Sequence, residues 1–233
     1  MVLEAAGSAV CAAGWMAYAT RGRSSTVFGP SVYHGSTSRR AIALTFDDGP
    51  SESTPELLRI LERHRARATF FQCGVHVRRL ASVSREVASA GHQIGNHTDT
   101  HPRLWLRSGR FLAAEIERAQ ESIVRAAGVH PCLFRAPYGV RWFGLRRIQR
   151  RLGLLGVMWT AIGRDGKLPP ERVAARLVSR SSNGAIFCLH DGRESAPRPD
   201  VEATLEAVRR LLPALAERGY CFETVSEILC PTT

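Results

Sequence analysis

The chain lacks the marks of a modular, fibrous or disordered protein. No internal repeat, linker or low-complexity tract interrupts it after residue 39, so one catalytic-size domain is the simplest account of its 233 residues. None of its six cysteines is in a CxxC pair, which argues against a structural zinc site. It also lacks an apolar run of spanning length. The longest candidate, Ala5–Ala19, has about 15 residues where a bilayer needs about 20, and Glu4 stands where a signal peptide carries cations. Finally, there is no aromatic-interleaved basic stripe. Despite a formal charge of +11, nucleic acid is therefore not an expected partner.

What is present describes a globular chain, 44% hydrophobic and 23% charged. Its basic residues read as scattered over helix faces, for example Arg59, Arg63, Arg65 and Arg67, and suit an anionic envelope or polymer. A solvated, composition-biased surface accounts for them equally well. The apolar N-terminal run resembles a marginal signal-anchor, which makes membrane association a candidate. Arg21 and Arg23 after it argue against export by the positive-inside rule. On balance a membrane-associated or extracytoplasmic location is favoured over a cytoplasmic one. Residues 1–38 are expected to lie outside the fold, and the domain to occupy residues 39–230. Cys73 and Cys188 fall in apolar runs and read as core; Cys221 and Cys230 are a candidate bridge in an oxidising compartment. Oligomeric state is not legible.

From Arg39 onward, strand-like and helix-like stretches alternate. Buried strands are expected at 41–46, 68–73, 92–96, 132–134, 154–159, 185–189 and 220–225, with helices near 53–64, 77–90, 111–126, 141–152, 170–179 and 201–218. Roughly seven strand-plus-helix units imply an α/β fold: a parallel sheet with helical crossovers, closed or nearly closed into a barrel. In such folds the site is built at the C-terminal ends of the strands.

Polar residues collect at those ends. The stretch Ile42–Phe46 runs into Asp47 and Asp48 before Gly49-Pro50 stops the strand, and alternation predicts that the two carboxylates point in different directions. His97 and His101 are four apart, which on a helical turn would let both imidazoles reach one ion. Thr98 stands where a zinc protease would have its glutamate, so water activation and a third ligand must come from elsewhere, with the Asp47-Asp48 pair the obvious supplier. Arg135 and His190 end two later strands.

The order TFDDGP (45–50), HTDTH (97–101), RAPYG (135–139), RDG (164–166) and CLHD (188–191) resembles the polysaccharide deacetylases, the NodB-homology carbohydrate esterases, over about residues 39–230. The resemblance implies a distorted (β/α)7-type barrel and metal-dependent removal of N-acetyl, sometimes O-acetyl, groups from an amino-sugar glycan such as peptidoglycan or a chitin-like oligosaccharide. It implies Asp48, His97 and His101 as ligands of a divalent ion, zinc first and cobalt-like ions as alternatives. Asp47 would be the general base and Arg135 its partner, His190 the general acid and Asp165 its partner, and the Tyr138 N–H an oxyanion donor. Three positions depart from the family pattern. Gly166 stands where a Trp is usual, with Ile162 at an earlier Asp position, and Cys188 replaces a usual Leu. A pocket wall would then be missing or come from another residue, such as Trp142 or Trp159. Two other functions compete. A two-His-one-carboxylate set also serves non-haem iron oxygenases, but that reading leaves Asp47, Arg135 and His190 without a task. A non-catalytic carbohydrate-binding protein on the same fold is the other alternative.

Overall fold

The computed structural model describes residues 2–230, with side chains from residue 11 onward. Its centre is β2 (Ala41–Gly49), a strand buried along its whole length, as the unbroken apolar run requires. Ile42, Leu44 and Phe46 face the helical layer, while Ala41 and Ala43 face a second cluster inside the barrel with Phe71, Leu133, Val157 and Ile186. Thr45 and Asp47 share the phase of that inward set and carry it up to the rim.

Around β2 stand β1 (Ser31–Val32), β3 (Ala68–Gln72), β4 (Gln93–Asn96), β5 (Leu133–Phe134), β6 (Leu155–Val157), β7 (Ala161–Ile162), β8 (Ala185–His190) and β9 (Cys221–Phe222). All the pairings are parallel, in the order β1-β6-β5-β4-β3-β2-β8-β7, with β9 beside the start of β2. The sheet curls until His34, just past β1, bridges back to Ala185 of β8. The result is the expected distorted α/β barrel in a single domain.

The helices are α1 (Val2–Arg21), α2 (Thr54–Arg63), α3 (Gly74–Arg79), α4 (Ala81–Ser89), α5 (Gly109–Ala127), α6 (Leu145–Leu152), α7 (Pro170–Val178), α8 (Glu202–Ala216) and α9 (Val225–Leu229). The single helix expected over 77–90 is two, α3 and α4, separated at Leu80. The α5 helix starts on the Ser108 side chain, which accepts from the Phe111 N–H, and ends at Gly128, whose φ of 71° favours glycine.

The expectation that residues 1–38 lie outside the fold is corrected for their second half. Ser31 and Val32 pair with Gly156 and Val157 of β6, because β6 would otherwise present an unpaired edge. Upstream, the buried Arg141 guanidinium donates to the Ser25 and Gly22 carbonyls, and Phe28 packs on Trp142 and Phe143. A two-residue strand leaves no periodic signal in the sequence. All six cysteines are free, including the candidate pair Cys221 and Cys230, whereas Cys73 and Cys188 are buried as expected.

Candidate active site

The strand register sets the site. Asp47 of β2 pairs with Phe71 of β3 on one side and His190 of β8 on the other, and Gln72, Asn96 and Phe134 align across β3, β4 and β5. His97 and Arg135, each one residue beyond its strand, therefore meet Asp47 and His190 at one rim, with His97 N–H donating to Gln72 O and Arg135 N–H to Asn96 O.

Alternation predicted that Asp47 and Asp48 diverge, and the structure corrects this. The register jumps from Asp47↔Phe71 to Gly49↔Gln72, so Asp48 is the extra residue of a bulge, at φ 71°. The bulge turns both carboxylates toward His97: its Nε2 lies 3.2 Å from Asp48 Oδ1 and 4.0 Å from Asp47 Oδ2. His101 Nε2 is 3.1 Å from the same Asp48 Oδ1. The histidines do not lie on a helical turn as the spacing suggested. They end an irregular loop with left-handed φ at Thr98 and His101.

The donor set fits a metal ion. One ligand atom each from Asp48, His97 and His101 lie within 4.8 Å of one another in a buried cluster. His97 Nδ1 is 2.7 Å from the Arg135 carbonyl, a contact that fixes the ring with Nε2 facing the cluster. Asp48 Oδ2 accepts from the Glu194 N–H at 2.8 Å, while Asp48 Oδ1, the converging oxygen, is buried with no hydrogen-bond partner. A buried carboxylate oxygen without a donor, with two ring nitrogens turned on it, is what a divalent cation satisfies. Burial opposes charge on Asp48, but the two imidazoles outweigh it and hold its carboxyl well below the usual range.

A second group, Asp47, Cys188 and His190, also meets the distance condition, but its atoms are committed elsewhere. Burial pushes the Cys188 thiol well up, so it stays protonated and points at Asp47 Oδ2, 3.4 Å away. Asp47 Oδ1 accepts from Arg135 Nη1 at 2.7 Å. That guanidinium is fully buried, yet its other bonds reach Thr45 Oγ1, the Val157 carbonyl and the Met158 carbonyl, and the Phe71 ring lies 4.2 Å from its centre. A buried cation so satisfied makes a rigid positive backing for Asp47.

Across the rim, His190 Nδ1 is 2.9 Å from Asp165 Oδ1, leaving Nε2 as the free ring nitrogen. Asp165 Oδ2 accepts from the His190 backbone N–H and from Thr204 Oγ1. Burial alone would lower the proton affinity of His190, but Asp165, with Asp48 and Asp47 behind it, pushes the pKa up to about 9. The same ion pair, opposing burial, lowers that of Asp165.

These groups line a cleft of about 780 Å³. Tyr138, at φ 57°, sits on its wall with its ring 4.7 Å from that of His101. Trp159 also lines the cleft, whereas Trp142 packs outside it against Phe28 and Trp105. Beside Gly166, where the family's tryptophan is missing, the Arg193 guanidinium approaches to van der Waals distance. Lys167, the chain's single lysine, stands on the same wall.

Several supporting residues escaped the sequence reading. Glu115, buried on α5, accepts from the Asp99 and Thr100 N–H groups and from Thr100 Oγ1, and so holds the loop between the two histidines. Its signal was present: a carboxylate on the face marked by Leu112, Ile116 and Ala119 needs a polar partner. Thr45, Thr204 and the Glu194 N–H had no such signal, because each acts through a partner far away in sequence.

Family comparison now adds to the geometry. The polysaccharide deacetylase family model matches residues 34–157. A chitooligosaccharide deacetylase of Azorhizobium caulinodans is 37% identical over 195 residues, covering 78% of this chain and 91% of its own. The chain belongs to the polysaccharide deacetylase family. A second relative of this deacetylase is the peptidoglycan-N-acetylglucosamine deacetylase of Bacillus cereus, 34% identical over 194 residues, with 82% of this chain and 88% of that protein covered. Among solved structures, the family 4 carbohydrate esterase of Streptomyces lividans in complex with acetate superposes with a TM-score of 0.72 at 34% identity, covering 79% of this chain and 92% of its own. As a polysaccharide deacetylase the chain is a hydrolase of a metal-dependent family, and its Asp-His-His cluster is the candidate metal site.

Proposed function

We propose that this deacetylase releases acetate from N-acetylated amino sugars of an envelope glycan, peptidoglycan or a chitin-like oligosaccharide, with zinc at Asp48, His97 and His101 and cobalt-like ions as substitutes. The convergence of three ligand atoms beside an anchored carboxylate carries the reading. A bound divalent ion supplies polarisation of the acetamide carbonyl and acidification of a water. Asp47 Oδ1 is fixed by Arg135, so Oδ2 is the oxygen that takes the proton from the attacking water. Arg135 and Cys188 together hold the plane of that carboxylate. The Tyr138 N–H is assigned to the developing oxyanion. His190 carries its proton on Nε2 to the departing amine nitrogen, while Asp165 holds the imidazolium in place. Base and acid face each other across the same ligand cluster.

Other readings fit less well. The iron-oxygenase reading gives no role to the Asp47–Arg135 or His190–Asp165 pairs, and a purely binding protein would not need them. An extracytoplasmic or membrane-associated location fits this reading, since a basic surface favours anionic envelope polymers.

The test is elemental analysis of the purified full chain, together with acetate release from N-acetylglucosamine oligomers with and without chelator. One zinc per chain and chelator-sensitive acetate release are expected. Metal without acetate release from any acetylated glycan would leave the binding-protein reading. No metal after supplementation would overturn the ligand set.

A further inference from the structure

The positive charge of this chain is segregated once acids are counted as well as bases. Residues 5–46, 100–114 and 122–164 contain fifteen arginines and no Asp or Glu. The rest of the chain holds seventeen basic residues against all twenty-one acids, so the whole excess comes from those three stretches. Reading the bases alone made them look scattered.

The fold brings parts of the three stretches to one sector. Arg141 donates to Gly22 and Ser25, its backbone N–H donates to Thr20, and Gly109 approaches Gly144 closely. On this sector apolar side chains stand in water. Phe143 packs edge to face on Phe28 and on Trp142, and Trp105 meets Trp142 at 6.2 Å. Yet Trp105 is 54% exposed, Leu106 67% and Phe143 56%. Beneath the surface, the hydrogen bonds of buried Arg141 to Gly22 and Thr20 tie this sector to the end of α1. There Trp15 and Tyr18, three apart on one face, are also exposed, as are Ala12, Ala13 and Ala17. At the sector's other end Arg103 lies 4.8 Å from the Tyr138 ring, on the cleft wall.

We propose that the ridge Trp105-Leu106-Phe143, with the exposed end of α1 and the surrounding arginines, is a face that seats this protein on an anionic lipid bilayer, with the cleft opening beside the contact. The chemistry matches the occupant. Exposed Trp, Tyr and Phe settle at the headgroup level, Leu enters below it, and arginines such as Arg107, Arg110, Arg146 and Arg147 pair with anionic headgroups. A water-borne polyanion would use the arginines but leave Leu106 and the alanines of α1 uncovered. Spanning is not required, and no described helix is long and apolar enough to cross a membrane. This inference deepens the membrane-associated location proposed above, and its readout does not depend on deacetylation.

The experiment is flotation of the full chain with phosphatidylcholine vesicles, with and without phosphatidylglycerol, for the native protein and for Trp105→Ser/Phe143→Ser. Native protein is expected to float with the anionic vesicles and much less with the neutral ones. The double substitution is expected to weaken binding about tenfold while leaving acetate release from soluble oligosaccharides and the circular-dichroism spectrum unchanged. Absence of flotation with anionic vesicles would overturn the proposal. Equal flotation of the variant would also overturn it, by assigning binding to α1 alone. So would a dimer in light scattering that the same substitutions dissociate, since a second copy would then be the occupant. Failure of acetate release alone would count against the deacetylase reading and leave this one standing.

Discussion

Asp47 and Asp48 are identical in chemistry and adjacent in the chain, and their surroundings alone divide their work. Arg135 and Cys188 occupy the oxygens of Asp47, whereas Asp48 offers a bare oxygen to two imidazoles. Asp47→Asn should therefore keep its metal by elemental analysis and lose turnover by about 10²–10⁴-fold. His101→Ala removes one of the three proposed ligands, and both bound metal and activity should fall together. For His190 the sign follows from its raised pKa. Its ion pair with Asp165 stabilises the fold fully below an unfolded pKa of about 6.5, and that stability is lost as pH rises through about 9. In Asp165→Asn the metal-free protein should show the His190 titration, followed by NMR, moved down from about 9, because burial would then be opposed only by the weaker influence of Asp48 and Asp47. The identities of these residues were legible in the sequence; their directions were not. A bulge at Asp48 and left-handed backbone at Thr98 and His101 depend on the register of the sheet and on Glu115, which no local periodicity encodes.

Among the elements, the long buried strands were readable because an unbroken apolar run has few other fates in a chain that alternates with helices. The two-residue strands β1 and β7 were not, since their pairing is set by neighbours. The link between α5 and the histidine loop gives a test at this scale. Glu115→Ala would strand two N–H groups and a hydroxyl, at about 1–3 kcal/mol each where they stay dry. A lower melting temperature and a weaker grip on metal are expected, by calorimetry and by metal titration. Glu115→Gln keeps one acceptor and should recover part of both.

For the molecule as a whole, the lead-in that sequence reading set aside belongs to the barrel. A chain shortened to begin at residue 39 would uncover the β6 edge and leave the buried Arg141 guanidinium without its Ser25 and Gly22 acceptors. Charged hydrogen bonds of this kind contribute roughly 1.5–3 kcal/mol each. The shortened chain should melt lower and aggregate sooner in light scattering than the full chain. The near absence of lysine has a different consequence. With Lys167 the only ε-amine and placed on the cleft wall, its modification by an amine-directed reagent, told apart from that of the α-amino group by peptide mapping, becomes a probe of the cleft itself. A lysine-specific protease, likewise, has one bond to cut, between β7 and α7. Bound oligosaccharide should slow both reactions, so occupancy of the cleft can be followed by mass spectrometry without any turnover.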